Sequence, residues 1–198
     1  GGNYMELTNS QYLTPHKVIA SLSYRIPYAK NFATSVSLFY SGYNAGNFSY
    51  MYDGDMNQDG INNDLIYIPK SKDELTFVDK NGFTAEQQAE AFWNYVNQDS
   101  YLKNHKGEYA KAYSARYPWV NQIDLKVVQD FIVKAGKTTN TLQVSLDIFN
   151  LGNLLKDTWG VTKVPVNSGR ILKYEGVTAD NVPTFSMYQS ENKLPTET

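Results

Sequence analysis

Four aspartates and three asparagines gather in the stretch DGDMNQDGINND, Asp53 to Asp64, broken by two glycines. Hard oxygen donors at alternating positions, with a glycine that lets the chain wrap, are what a calcium ion requires. Numbered as an EF-hand loop from Asp55, the stretch places Asp55, Asn57 and Asp59 at positions 1, 3 and 5 and Gly60 at 6. The Ile61 carbonyl falls at position 7 and Asn63 at 9. Position 12 is Ile66, so the bidentate glutamate is missing and Asp64 has to substitute from position 10. The expectation is a structural calcium site of modest affinity, set against a solvated acidic loop closed by Asx turns.

Other chemistry is sparse. His16 and His105 lie far apart, with no carboxylate or second histidine at ligand spacing. The chain has no cysteine, which removes disulfides, thiolate zinc sites and cysteine nucleophiles together. No GxSxG, HExxH or GxxxxGK[ST] pattern occurs, and NSGR at Asn167 to Arg170 lacks partners, so no enzyme is expected. Phe92, Trp93 and Tyr95 cluster in an aromatic helical segment and are candidate ligand-contacting residues. The competing reading is a helix face that packs its own loop.

The elements that must position these residues alternate with period two. From His16 to Ile26 the even positions are Val18, Ala20, Leu22, Tyr24 and Ile26, against Lys17, Ser21, Ser23 and Arg25, with Ile19 the exception. After PYAKN the pattern resumes with Phe32, Val36, Leu38 and Tyr40 against Ser35, Ser37 and Ser41. It returns at Ile123, Leu125, Val127 and Phe131, turns through KAGKTTN, and repeats at Leu142, Val144, Leu146 and Ile148. Strands are therefore expected at about 16–26, 32–43, 119–133 and 140–150, as two hairpins. A long loop, 44–118, separates them, with helices expected at about 85–97 and 108–115. The first opens on Thr84 with Gln87 three residues on, a capping-box pattern. Weaker strands are expected at Arg170 to Glu175 and Thr184 to Ser190.

Period two alone suits a soluble antiparallel sheet. Strands of ~10 residues, connections that alternate short and long, and aromatics at strand ends instead favour a transmembrane β-barrel. Val18, Leu22, Val36, Leu38, Leu125, Val127, Leu142 and Leu146 would then face lipid, and Lys17, Arg25, Asp124, Lys126, Asp130 and Asp147 the lumen. Four to six strands cannot enclose a polar lumen, so the expected fold is mainly β, a fragment of one barrel domain spanning 1–198 with a helical insertion in its extracellular loop. The polar opening Gly1 to Ser10 and the ending KLPTET fit an internal fragment. A formal net charge of −2 with scattered basic residues excludes the basic stripe of a nucleic-acid binder.

Three motifs carry a resemblance. In order they are DGDMNQDGINNDLIYIP, YLKNHKGEYAKAYSARYPWVNQIDLKVVQDF and LDIFNLGNLLKDTWG. Over roughly Thr14 to Gly160 the chain resembles the C-terminal barrel part of TonB-dependent outer-membrane receptors of Bacteroidetes, in particular the Oar-like group. The resemblance implies a component of a ~22-stranded outer-membrane barrel for nutrient uptake. Its implied partners are the remaining strands or another chain of the same receptor, outer-membrane lipid, and TonB only through an N-terminal part that this chain lacks. The alternative is a soluble or surface calcium-stabilised β module that binds glycan or protein.

Overall fold

The computed structural model describes residues 7–195. In chain order the elements are β1 Lys17–Tyr28, β2 Phe32–Asn44, β3 Asn47–Phe48, β4 Tyr52–Asp53, β5 Thr76–Phe77, α1 Ala85–Gln98, β6 Ala115–Arg116, β7 Trp119–Ala135, β8 Thr138–Ile148, α2 Leu151–Leu155, β9 Leu172–Val177 and β10 Pro183–Met187. Strand accounts for 42% and helix for 15%, so the chain is mainly β. No closed barrel forms among the described residues, and no helix there is long and apolar enough to cross a membrane.

Two compact units emerge. One holds residues 14–45 and 118–163, and the other 46–117 together with 164–195 and the leading described residues. The first is a four-stranded sheet in the order β1-β2-β7-β8, antiparallel throughout. Tyr28 pairs with Phe32 across a three-residue turn in which Ala29 and Lys30 both take positive φ. Ala135 pairs with Thr138 across Gly136 and Lys137, a two-residue connection in which Gly136 supplies φ +62°. Pro27 remains within β1, which is an edge strand and can spare the amide it lacks.

The second unit is built on the sheet β4-β9-β10-β5, in which β9 and β10 are antiparallel and the two outer pairings parallel. α1 starts on the expected capping box, since Thr84 Oγ1 accepts from Gln87 N at 3.2 Å and Gln87 Oε1 from Thr84 N at 2.9 Å. Its buried residues are Gln88, Phe92, Tyr95 and Val96, one stripe at helical spacing. Gln88 is the buried polar exception and is fully used: its amide donates to Val78 O at 2.7 Å, and its Oε1 accepts from Met187 N of β10 at 2.9 Å. Around this stripe close Tyr50, Tyr52, Ile66, Ile68, Phe77, Ile171, Leu172, Phe185 and Met187. The stretch between the hairpins is thus packed, and it draws half of its sheet from residues after 164.

The helix expected at about 108–115 does not form, which corrects the sequence reading. Ile68 N donates to Glu108 O at 2.9 Å and Ala110 N to Ile66 O at 2.8 Å, so this backbone runs as an extended partner of 66–68. Gly107 and Tyr113 both take positive φ, at +84° and +51°, which interrupts any helix at each side. Burial of Ala110 against Ile66 and Ile68 outweighs the helix propensity of the alanines and lysines here.

Candidate functional site

The acidic loop is drawn together by its own side chains. Asp55 accepts through Oδ1 from Asp59 N at 3.1 Å and through Oδ2 from Gly60 N at 2.7 Å. Asn57 Oδ1 also accepts from Asp59 N at 3.0 Å, and Asp59 Oδ1 from Ile61 N at 2.9 Å. The Asn57 and Asp59 contacts are Asx turns, and with the longer reach of Asp55 they place Asp55, Asn57 and Asp59 around one short stretch of backbone. Two further expected ligands, Asp64 and the Ile61 carbonyl, are engaged by backbone amides. Asp64 is 7% exposed and its Oδ2 accepts from Met56 N at 2.8 Å and Asn57 N at 3.2 Å, so it anchors the base of the loop. The Ile61 carbonyl accepts from Asn63 N at 3.1 Å. Asn57 Nδ2 donates to Asp59 Oδ2 at 3.0 Å, which puts a donor beside the oxygens a cation would use. Among the described residues no three histidine, aspartate or glutamate side chains converge as a metal site.

The aromatic candidates divide. Phe92 and Tyr95 are 2% and 0% exposed and belong to the core, which corrects the expectation that they contact a ligand. The helix turns them inward because they share the 3.6-residue stripe with Gln88 and Val96. Trp93 lies off that stripe, half-buried, with Lys106 Nζ 4.1 Å from its ring centroid.

Beneath α1 lies a polar cluster that no sequence signal announced. Tyr50 donates to Asp99 Oδ2 at 2.9 Å, and Asp99 Oδ1 accepts from Tyr101 N and Leu102 N at 2.8 and 2.7 Å. Burial, then the neighbouring Tyr95 and Asp99, drive the Tyr50 phenol far above its ordinary range. Burial likewise pushes Tyr95 and Tyr52 up to about 12. Groups so hard to ionise serve packing and hydrogen bonding, not proton transfer near neutral pH.

The sheet β1-β2-β7-β8 carries the most distinctive surface. Its registers bring Leu22, Leu38, Leu125 and Ile148 into one row, Tyr24, Val36, Val127 and Leu146 into the next, and Phe32, Phe131 and Leu142 into another, all on one face. That face is open to solvent: Leu22 is 70% exposed, Leu142 66% and Leu146 59%. Rings mark both ends. Tyr28 stacks on Phe32 at 5.9 Å and Phe32 meets Phe131 edge-on at 5.7 Å. At the other end Tyr40 and Trp119 both donate to Asn121 Oδ1, at 2.8 and 3.0 Å. Gly42 makes room for them, since a Cβ there would meet the Tyr40 hydroxyl and sit 2.7 Å from the Trp119 ring.

The opposite face is polar and paired across strands. Arg25 of β1 reaches Asp130 of β7 at 2.9 Å, and Gln143 of β8 donates to the same carboxylate at 2.8 Å. Lys126 pairs with Asp147 at 2.9 Å, and Ser23 donates to Ser37 at 2.8 Å. All the charges named from the sequence as lumenal fall on this face. Comparison of the chain with protein families, with curated proteins and with solved structures finds no match.

Proposed function

We propose that the chain supplies strands to an outer-membrane β-barrel of the TonB-dependent receptor kind and serves the uptake of a nutrient. The observation that carries this reading is the exposed apolar face of β1-β2-β7-β8, set opposite a polar face on which Arg25 pairs with Asp130 and Lys126 with Asp147. A soluble sheet covers such a face, whereas a barrel strand offers it to lipid. The ring-bearing ends fit the same solvent. From Phe131 to Trp119 the strand measures about 40 Å at ~3.3 Å per residue, and a tilt of ~40° projects this to about 30 Å, the thickness of a hydrocarbon core.

The edges name the partner. β1 and β8 each have one neighbour in the sheet, and lipid cannot satisfy the backbone groups along the other side. Further strands, of the same receptor or of another chain, are therefore required. The three motifs that resemble Oar-like receptors support the same assignment, and on that reading the acidic loop is an extracellular element which a structural calcium ion would stiffen.

A second reading has an observation of its own. Residues 46–117 and 164–195 bury a core without help from the long sheet, as a surface module that binds glycan or protein would. Partition separates the two. The expected result is that the expressed chain sediments with membranes, resists a urea wash, and needs detergent to remain dispersed. A monodisperse monomer in detergent-free buffer would overturn the barrel reading and favour the module.

A further inference from the structure

The polar face of the sheet holds one carboxylate that its own cations leave unmatched. Asp130 is paired with Arg25 and Asp147 with Lys126, each at 2.9 Å. Asp124 instead accepts from Gln122 Nε2 at 3.1 Å and from Asn150 N at 2.7 Å. Phe39 is its register partner on β2, and Phe149 follows directly on the end of β8. Both rings are open, Phe39 at 40% and Phe149 at 74%. With Asp124, Ser21, Ser37 and Lys126 they line a cavity of about 290 Å³.

We infer that this cavity is a binding subsite for a small organic cation, a primary ammonium or guanidinium group carried on an apolar frame. Lys126 and Asp147 neutralise each other, so Asp124 sets the sign of the site. A cation there gains the carboxylate, the electron-rich faces of the rings, and hydroxyl oxygens as further acceptors for its N–H groups. An anion meets the wrong charge, and a neutral solute leaves the carboxylate uncompensated. That the cavity selects what passes through a lumen rests on the barrel reading, whereas binding itself does not.

The test uses the whole chain in nonionic detergent, titrated with benzylammonium and, separately, with benzyl alcohol. Chemical shifts or heats of binding provide the readout. Saturable binding of benzylammonium is expected, weakened about tenfold in Asp124→Asn, which keeps an acceptor for the Asn150 amide, and weakened also in Phe39→Leu and Phe149→Leu. Equal binding of benzyl alcohol, no saturable binding of benzylammonium, or undiminished binding by Asp124→Asn would overturn the assignment. Should Asp124→Asn lose its strand signal in circular dichroism, the two phenylalanine variants decide: unchanged affinity in both overturns it. A chain that proved monomeric in plain buffer yet bound benzylammonium would defeat the barrel reading and leave the subsite standing.

Discussion

At the scale of the residue, Asp55 and Asp59 show how far donor type and spacing reach. Their alternation with Asn57 was plain in the sequence, and in the structure Asp55 and Asn57 share the Asp59 amide while Asp59 takes that of Ile61. Asp64 was not legible in the same way, because its carboxylate answers to the amides of Met56 and Asn57 at the base of the loop. A calcium ion held by the exposed oxygens would relieve the repulsion of adjacent carboxylates and stabilise the folded state by mass action. Calcium is therefore expected to raise the melting temperature, and Asp55→Ala combined with Asp59→Ala to remove the increase. Identical melting curves with calcium and with chelator would dismiss the ion. Phe92 and Tyr95 teach the complementary lesson: an aromatic at helical spacing reads first as core, and the neighbour that escaped the stripe, Trp93, was the one left near the surface.

At the scale of the element, the two hairpins were readable because each strand pairs with a near neighbour in sequence and its side-chain period is broken on the first strand only at Ile19. The segment after Gly107 was not, since its conformation is decided by Ile66 and Ile68, some forty residues earlier, and not by its own composition. The same logic makes the sheet's two faces separable by mutation. Val127 lies on the apolar face and Val128, its neighbour along β7, on the polar one. In a bilayer Val127→Arg should cost about 2–4 kcal/mol if it sits near the midplane, and Val128→Arg much less. Denaturant unfolding in detergent or lipid measures both. Equal and small costs would point to water on both sides of the strand.

At the scale of the whole molecule, tyrosine dominates the unit that carries α1. Tyr50, Tyr52 and Tyr95 are each at most 1% exposed, and burial raises all three phenols above the ordinary value near 10. The folded chain therefore keeps its phenolic protons to higher pH than the unfolded chain. Stability from these groups is complete below about pH 10, declines as pH rises through that value, and is exhausted for Tyr52 and Tyr95 near their folded value of about 12. Ionisation of these three buried phenols, followed as tyrosinate absorbance, should consequently be cooperative and accompanied by loss of the helical signal. A single gradual titration with no coupled unfolding would show that the buried phenols ionise in place.

The pairing of β5 with β10 has a kinetic consequence. Thr76 and Phe77 lie beside Thr184 and Phe185, so this ladder joins residues more than a hundred positions apart, in parallel. The entropy of closing so large a chain loop must be met before any contact rewards it. The core around Phe77 and Phe92 stays open until Phe185 and Met187 have docked against it. The β1–β2 and β7–β8 hairpins, by contrast, can close as soon as their own turns are made. Folding is thus ordered in time by sequence separation, with local hairpins first and the tyrosine-rich core last, and the late core is where a stalled chain would expose apolar surface to aggregation.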